Sequence, residues 1–251
     1  MRKRRSILVI TLVLGVTGAS MLQAQRGGFP TSFRAARQND PPVTEFILAR
    51  WHYTAGRGGD GWRHDYPTAE EHILQIMHET TGVDTSRLSY RLVELGSPEI
   101  FKYPFSYISE PGEMELTDHE LENLREYIER GGFVMVDDFG GQRNSEGEFA
   151  AFRSNLLRLY SDRDMFLLPN DHPLFRNFYD VDMSQTFHPM SGAKSVFYGY
   201  PNSRGGLAMV ICFANDVGDY WEWIDRNEYA VKPSAEALKM GINFVLYSMT
   251  H

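Results

Sequence analysis

Apolar residues along this chain change their period several times, and each change predicts an element. "EFILARWHY" (45–53) is rich in β-branched and aromatic residues and predicts a first strand. Thr68 stands three residues before Glu71, a capping-box spacing. Behind it Ile73, Leu74, Ile76 and Met77 share a helical face that Gly82 closes. "LSYRLVEL" (88–95) and "FSYI" (105–108) predict the second and third strands. Thr117 and Glu120 form another capping box, ahead of a helix with Leu121, Leu124 and Ile128 on one face and Gly131 as its stop. "GGFVMVDD" (131–138) then runs apolar without alternation. Such a run predicts a strand buried on both faces, as in a parallel sheet. Ser145 and Glu148 make a third box, before a helix carrying Phe149, Phe152, Leu156 and Tyr160.

Strand and helix thus alternate through the first two-thirds, which predicts an α/β sandwich with a mostly parallel sheet. The last third differs. "AKSVFYGY" (193–200) and "GLAMVICFA" (206–214) flank "PNSRG" and predict a β-hairpin. A terminal helix is expected from near Pro233, with Ala235, Leu238, Ile242, Val245 and Met249 as its stripe. Residues 161–192 show no regular period. One domain is expected over 43–251.

The N-terminus has another character. "MRKRRSILVITLVLGVTGASMLQAQ" sets a basic head before an apolar stretch and then turns polar, the layout of a signal peptide over residues 1–24. The apolar stretch falls short of the ~20 residues a spanning helix needs. An uncleaved N-terminal anchor is the alternative. Arg4-Arg5 before Ser6-Ile7-Leu8 also resembles a twin-arginine signal. Residues 25–42 are Gly-, Pro- and polar-rich and read as a flexible lead-in. The lead carries Arg2, Lys3, Arg4 and Arg5 and no acid, so cleavage after Ala24 takes the net charge from −8 to −12. That acidity disfavours nucleic acid and anionic lipid as partners. Export would place the protein in the periplasm or cell envelope of a bacterium.

Candidate chemistry is sparse. Gly56-Arg57-Gly58-Gly59-Asp60-Gly61 satisfies G-x-G-x-x-G, but no helix opens within the motif and no acid follows at the next strand end. A surface loop is the expectation. Cys212, the single cysteine, lies inside an apolar strand, and there is no G-x-S-x-G elbow. No cofactor is expected. The eight histidines show no compact metal-ligand spacing. Asp137 and Asp138 stand out because ligands in open α/β sheets bind beyond the carboxyl ends of the strands. They could hold a metal, act as catalytic carboxylates, or brace a corner. Strand alternation sends them to opposite sides, so at most one faces a given cleft. Arg63, His64 and Asp65 in "WRHDYP", together with His172 in "NDHPLF", are further candidates for the rim.

Several runs carry a resemblance: "FILARWHY", "WRHDYPTAEEHIL", "FKYPFSYI", "LTDHELENLREYIERGGFVMVDDF", "DHPLFRNFYDV" and "GINFVLYSMT". In this order the chain resembles the family catalogued as domain of unknown function 4159, over about residues 43–250. The resemblance implies a flavodoxin-like three-layer α/β sandwich similar to class I glutamine amidotransferases, with the C-terminal hairpin and helix added. It implies no established activity. In the amidotransferase-like fold the turn after such a strand carries a nucleophilic cysteine. Here Asp137-Asp138 stand near that place, which argues against glutamine hydrolysis.

The leading expectation is a non-catalytic binding or interaction domain of the cell envelope, with other envelope proteins as candidate partners. The rival is a hydrolase, metal-assisted or carboxylate-based, that uses Asp138 with His172 or His64. A third class is an assembly subunit that docks on a membrane complex.

Overall fold

The computed structural model describes residues 44–139 and 145–251. The expected signal peptide and lead-in lie outside them, as do Gly140 and Gly141, which follow the paired acids.

Seven strands form one sheet: β1 (Leu48–His52), β2 (Tyr90–Glu94), β3 (Phe105–Ile108), β4 (Phe133–Val136), β5 (Phe166–Leu167), β6 (Val196–Pro201) and β7 (Leu207–Phe213). Their order is β2-β1-β3-β4-β7-β6-β5. The first five in that order pair in parallel, and β6 joins β7 and β5 antiparallel. Counting parallel strands alone gives 2-1-3-4-5, a layout compatible with flavodoxin-like folds. The expected hairpin is thus β6–β7, and its second strand closes the parallel run. The short β5 falls within the segment that had no readable period.

Five α-helices are described: α1 (Thr68–Thr80), α2 (Asp118–Glu129), α3 (Ser145–Leu159), α4 (Val217–Glu222) and α5 (Val231–Thr250). One face of the sheet, with Ala49, Trp51, Val134, Val136, Met209 and Ile211, packs on Leu121, Leu124 and Ile128 of α2 and on Phe152, Leu156 and Leu159 of α3. Period-2 alternation sends the other residues of each strand to the opposite face. There Arg50 meets Glu70 of α1 at 2.8 Å, Tyr107 meets Trp221 of α4, and Phe133 meets Tyr247 of α5. Helices on both faces explain why "FVMV" is buried throughout.

Capping follows the sequence pattern at one helix of three. Thr117 and Glu120 form the reciprocal box at α2. At α1 the residue before the helix is Pro67, and Thr68 is already helical, so no side-chain cap forms. At α3 Ser145 is likewise inside the helix, and Glu148 Oε2 is buried without a partner rather than bonded back to the cap. The terminal helix starts at Val231, two residues before Pro233.

Candidate functional site

The carboxyl ends of β1, β3, β4 and β7 meet at one edge, and the loop after β1 folds across them. The glycine motif has a packing role there. Gly61 N–H donates to Glu113 Oε2 at 3.0 Å, and a Cβ on Gly61 would stand 2.6 Å from Glu110 Cβ. Glycine is required because the loop backbone presses on the acids that follow β3.

A buried arginine pins the next stretch. Arg50, fully buried in β1, donates from Nε to Glu70 at 2.8 Å. It donates from one terminal nitrogen to the carbonyls of Trp62 and His64 at 3.1 and 3.0 Å, and lies 3.9 Å from the Tyr107 ring centre. The guanidinium fork suits this many-partner role. Tyr53 OH donates to the carbonyls of Ser109 and Glu110, at 2.9 and 2.6 Å, and holds the turn after β3.

These anchors bring three side chains together. His64 Nδ1 lies 3.2 Å from Glu110 Oε1 and 3.5 Å from Asp138 Oδ2. Ser109 Oγ donates to the same Asp138 oxygen at 3.4 Å. Hydrogen bonding to Asp138 and then to Glu110 pushes the His64 imidazole up to about 10. Asp65, Glu110 and Asp138 have φ of 63°, 50° and 62°, in the left-handed region that disfavours residues with a Cβ. Strained backbone of this kind concentrates at working sites.

Asp137 has a different task. Its Oδ2 accepts the N–H groups of Val217 and Gly218 at 2.6 and 2.9 Å and the Tyr107 hydroxyl at 3.2 Å. It therefore ties the end of β4 to the start of α4. Its Oδ1 is buried with no partner, and burial, with Asp138 adjacent, pushes the carboxyl up to about 7.

More acids gather around this pair. Asp216 caps α4 through the Asp219 N–H at 3.0 Å, and Asp219 accepts from Trp223 Nε1 and Tyr229 OH at 3.0 and 2.6 Å. Burial, then the charge of Asp138, holds Asp65 and Asp216 well above the usual carboxylate range. Glu148 is pushed up to about 7 by burial and by Glu110 and Asp138. His188 is 2% exposed and accepts the Met190 N–H on Nδ1 at 3.2 Å. Burial lowers its pKa, while Asp138 and Asp219 act against that shift. The neutral ring therefore carries its hydrogen on Nε2, which is buried with no partner.

The remaining sequence candidates go elsewhere or to the rim. Arg63 pairs with Asp60 at 2.8 Å and stays half-buried. His172 accepts the Leu174 N–H at 3.1 Å and lies 6.2 Å from the Tyr247 ring, which packs on Phe133 at the start of β4. That is the opposite end of the strand from Asp138, so of the two imidazoles paired with Asp138 in the sequence reading, the fold brings only His64. Sequence reasoning passed over Glu110, His188, Asp216 and Asp219. The signal available for Glu110 and Asp216 was their place just beyond β3 and β7. The segment carrying His188 had no period to read.

Chemically, the edge is a negative cleft with one imidazole between two carboxylates, able to hold a cation or to move a proton. Residues 47–249 match a family model described as Domain of unknown function (DUF4159). No curated protein matches the chain.

Proposed function

The chain belongs to the family described as Domain of unknown function (DUF4159), and from that premise we propose that it is an exported, envelope-associated binding domain whose strand-end cleft takes a cationic ligand. The observation that carries this reading is the convergence of His64, Glu110 and Asp138 among further acids at the edge where open α/β sheets bind ligands. A buried, unpartnered polar atom next to Asp138, Asp137 Oδ1, adds support.

We read the layout as related to class I glutamine amidotransferases, with the acid pair standing where those enzymes carry a cysteine. The parallel strand order supports the kinship. Cys212 is fully buried in β7 and burial pushes its thiol well up, which supports the loss of amidotransferase chemistry. Export rests on the pattern of residues 1–24; among the described residues no helix is long and apolar enough to cross a membrane.

The test is a thermal-shift series with organic cations, metal ions, and neutral and anionic controls. Cations should raise Tm, and Asp138→Asn should remove the effect while Asp180→Asn leaves it. Stabilisation by no cation would overturn the reading. One observation favours a second reading: a carboxylate of Asp138 or Glu110 can take a proton from water while the protonated His64 beside it serves as the acid. Turnover of amides or glycosides, lost in Asp138→Ala, would establish that hydrolase instead.

A further inference from the structure

Resting on the binding reading above, we propose that His64 Nδ1, Glu110 and Asp138 form a three-ligand site for one divalent transition-metal ion of the zinc or manganese class. Each residue offers one ligand atom, and the three atoms lie within 4.8 Å of one another. The separations from His64 Nδ1 are 3.2 Å to Glu110 and 3.5 Å to Asp138. Metal bonds of about 2.1 Å place neighbouring ligands roughly 3.0 Å apart in an octahedron and roughly 3.4 Å apart in a tetrahedron. The observed spacings match those edges. The longer of the two is a stretched contact, and an ion between the ring and Asp138 would hold both at bonding distance.

The three ligands come from three separate segments, and each segment is held from behind. The His64 carbonyl accepts from buried Arg50, the Glu110 carbonyl accepts from Tyr53 OH, and the Asp138 carboxylate accepts from Ser109 Oγ. Such outer contacts orient metal ligands before the ion arrives.

His188 supplies an independent sign of a missing partner. It is almost wholly buried, its Nδ1 is occupied, and its Nε2–H has no acceptor. The charges of Asp138 and Asp219 are the ones that act on it. Water oxygens carried by a bound ion would provide that acceptor. A second acidic trio, Asp65, Asp219 and Glu222, is equally compact, but it lacks an imidazole and Asp219 already accepts from Trp223 and Tyr229. One imidazole with two carboxylates suits zinc, manganese or iron better than calcium.

The experiment uses the full chain, stripped with chelator and titrated calorimetrically with zinc and with manganese. One ion should bind per chain. His64→Ala and Asp138→Asn should each weaken binding at least about 10-fold, while His172→Ala leaves it unchanged. Binding that survives both ligand substitutions would overturn the proposal, as would the absence of binding. Should a substituted chain fail to fold, histidine nitrogen NMR of the unsubstituted chain decides. Zinc should shift His64 and His188, and a shift confined to His172 or His251 counts against the site. Putrescine is titrated in parallel. If putrescine binds and metals do not, the metal site falls and the binding reading stands. If neither binds, both fall.

Discussion

Asp137 and Asp138 are neighbours in the chain, yet Asp137 gives its Oδ2 to the amides of Val217 and Gly218 while Asp138 turns its carboxylate toward His64 at 3.5 Å. Alternation along the chain sends them to opposite sides, and Asp138 takes a left-handed φ of 62°. One acid braces the corner and the other faces the cleft.

Bracing by Asp137 has a measurable weight. Asp137→Ala leaves two buried amides and the Tyr107 hydroxyl without their acceptor, and should cost about 2–4 kcal/mol in urea unfolding. Asp137→Asn keeps an acceptor oxygen and should cost less than about 1 kcal/mol. Equal losses for the two would show that the bonds to Val217 and Gly218 are not what matters.

The Arg50–Glu70 pair is fully buried, so removing one partner strands the other. Arg50→Met should destabilise by about 3–5 kcal/mol, and adding Glu70→Leu should restore much of that loss. The single change should also loosen the loop carrying His64, visible as faster amide exchange around Trp62. A double substitution no better than the single one would rule out charge burial as the cause.

Stability should fall as pH rises, in two steps. Asp137 and Glu148 are raised from 3.8 and 4.5 to about 7. The folded state binds those protons more tightly than the unfolded chain. Their contribution is complete below the ordinary carboxylate values and is lost as pH climbs through about 7. His64 is raised from 6.5 to about 10, so its contribution is complete below 6.5 and lost on passing 10. Melting curves across this range should show a smaller lower step in Asp137→Asn with Glu148→Gln, the remainder coming from raised carboxyls such as Asp65 and Asp216, and a smaller upper step in His64→Gln. A flat profile in the unsubstituted chain would contradict both assignments.

Gly61→Ala places a Cβ 2.6 Å from Glu110 Cβ and 2.9 Å from Glu113 Oε2. We expect a loss of about 1–3 kcal/mol from the forced shift. Because Glu110 must move, cation binding should weaken as well. Gly82→Ala is the control, since nothing lies within 4 Å of a Cβ there.

Much of the architecture was legible locally. The box at Thr117 and Glu120, the uniformly apolar "FVMV" and the β6–β7 hairpin depend on contacts among near neighbours, so their patterns survive in the sequence. The boxes at Thr68 and Ser145 did not form, because a spacing of side chains does not determine where backbone dihedrals turn helical. The glycine motif looked like a surface loop, and its packing on Glu110 and Glu113 appears only once β3 lies beside β1.

By itself, the sequence determined the α/β class, the strand that ends in two acids, and the absence of a cysteine at that turn. Tertiary structure alone decided which acid faces the cleft, which histidine meets it, and that Glu110, His188 and Asp216 join the group. The reason is the reach of each effect. Periodicity and capping act across a few residues, whereas the site is assembled by the order β1-β3-β4-β7, which sets a loop near residue 64 against turns near 110, 138 and 216. No local pattern encodes that adjacency, and packing of the helices on the two faces of the sheet enforces it.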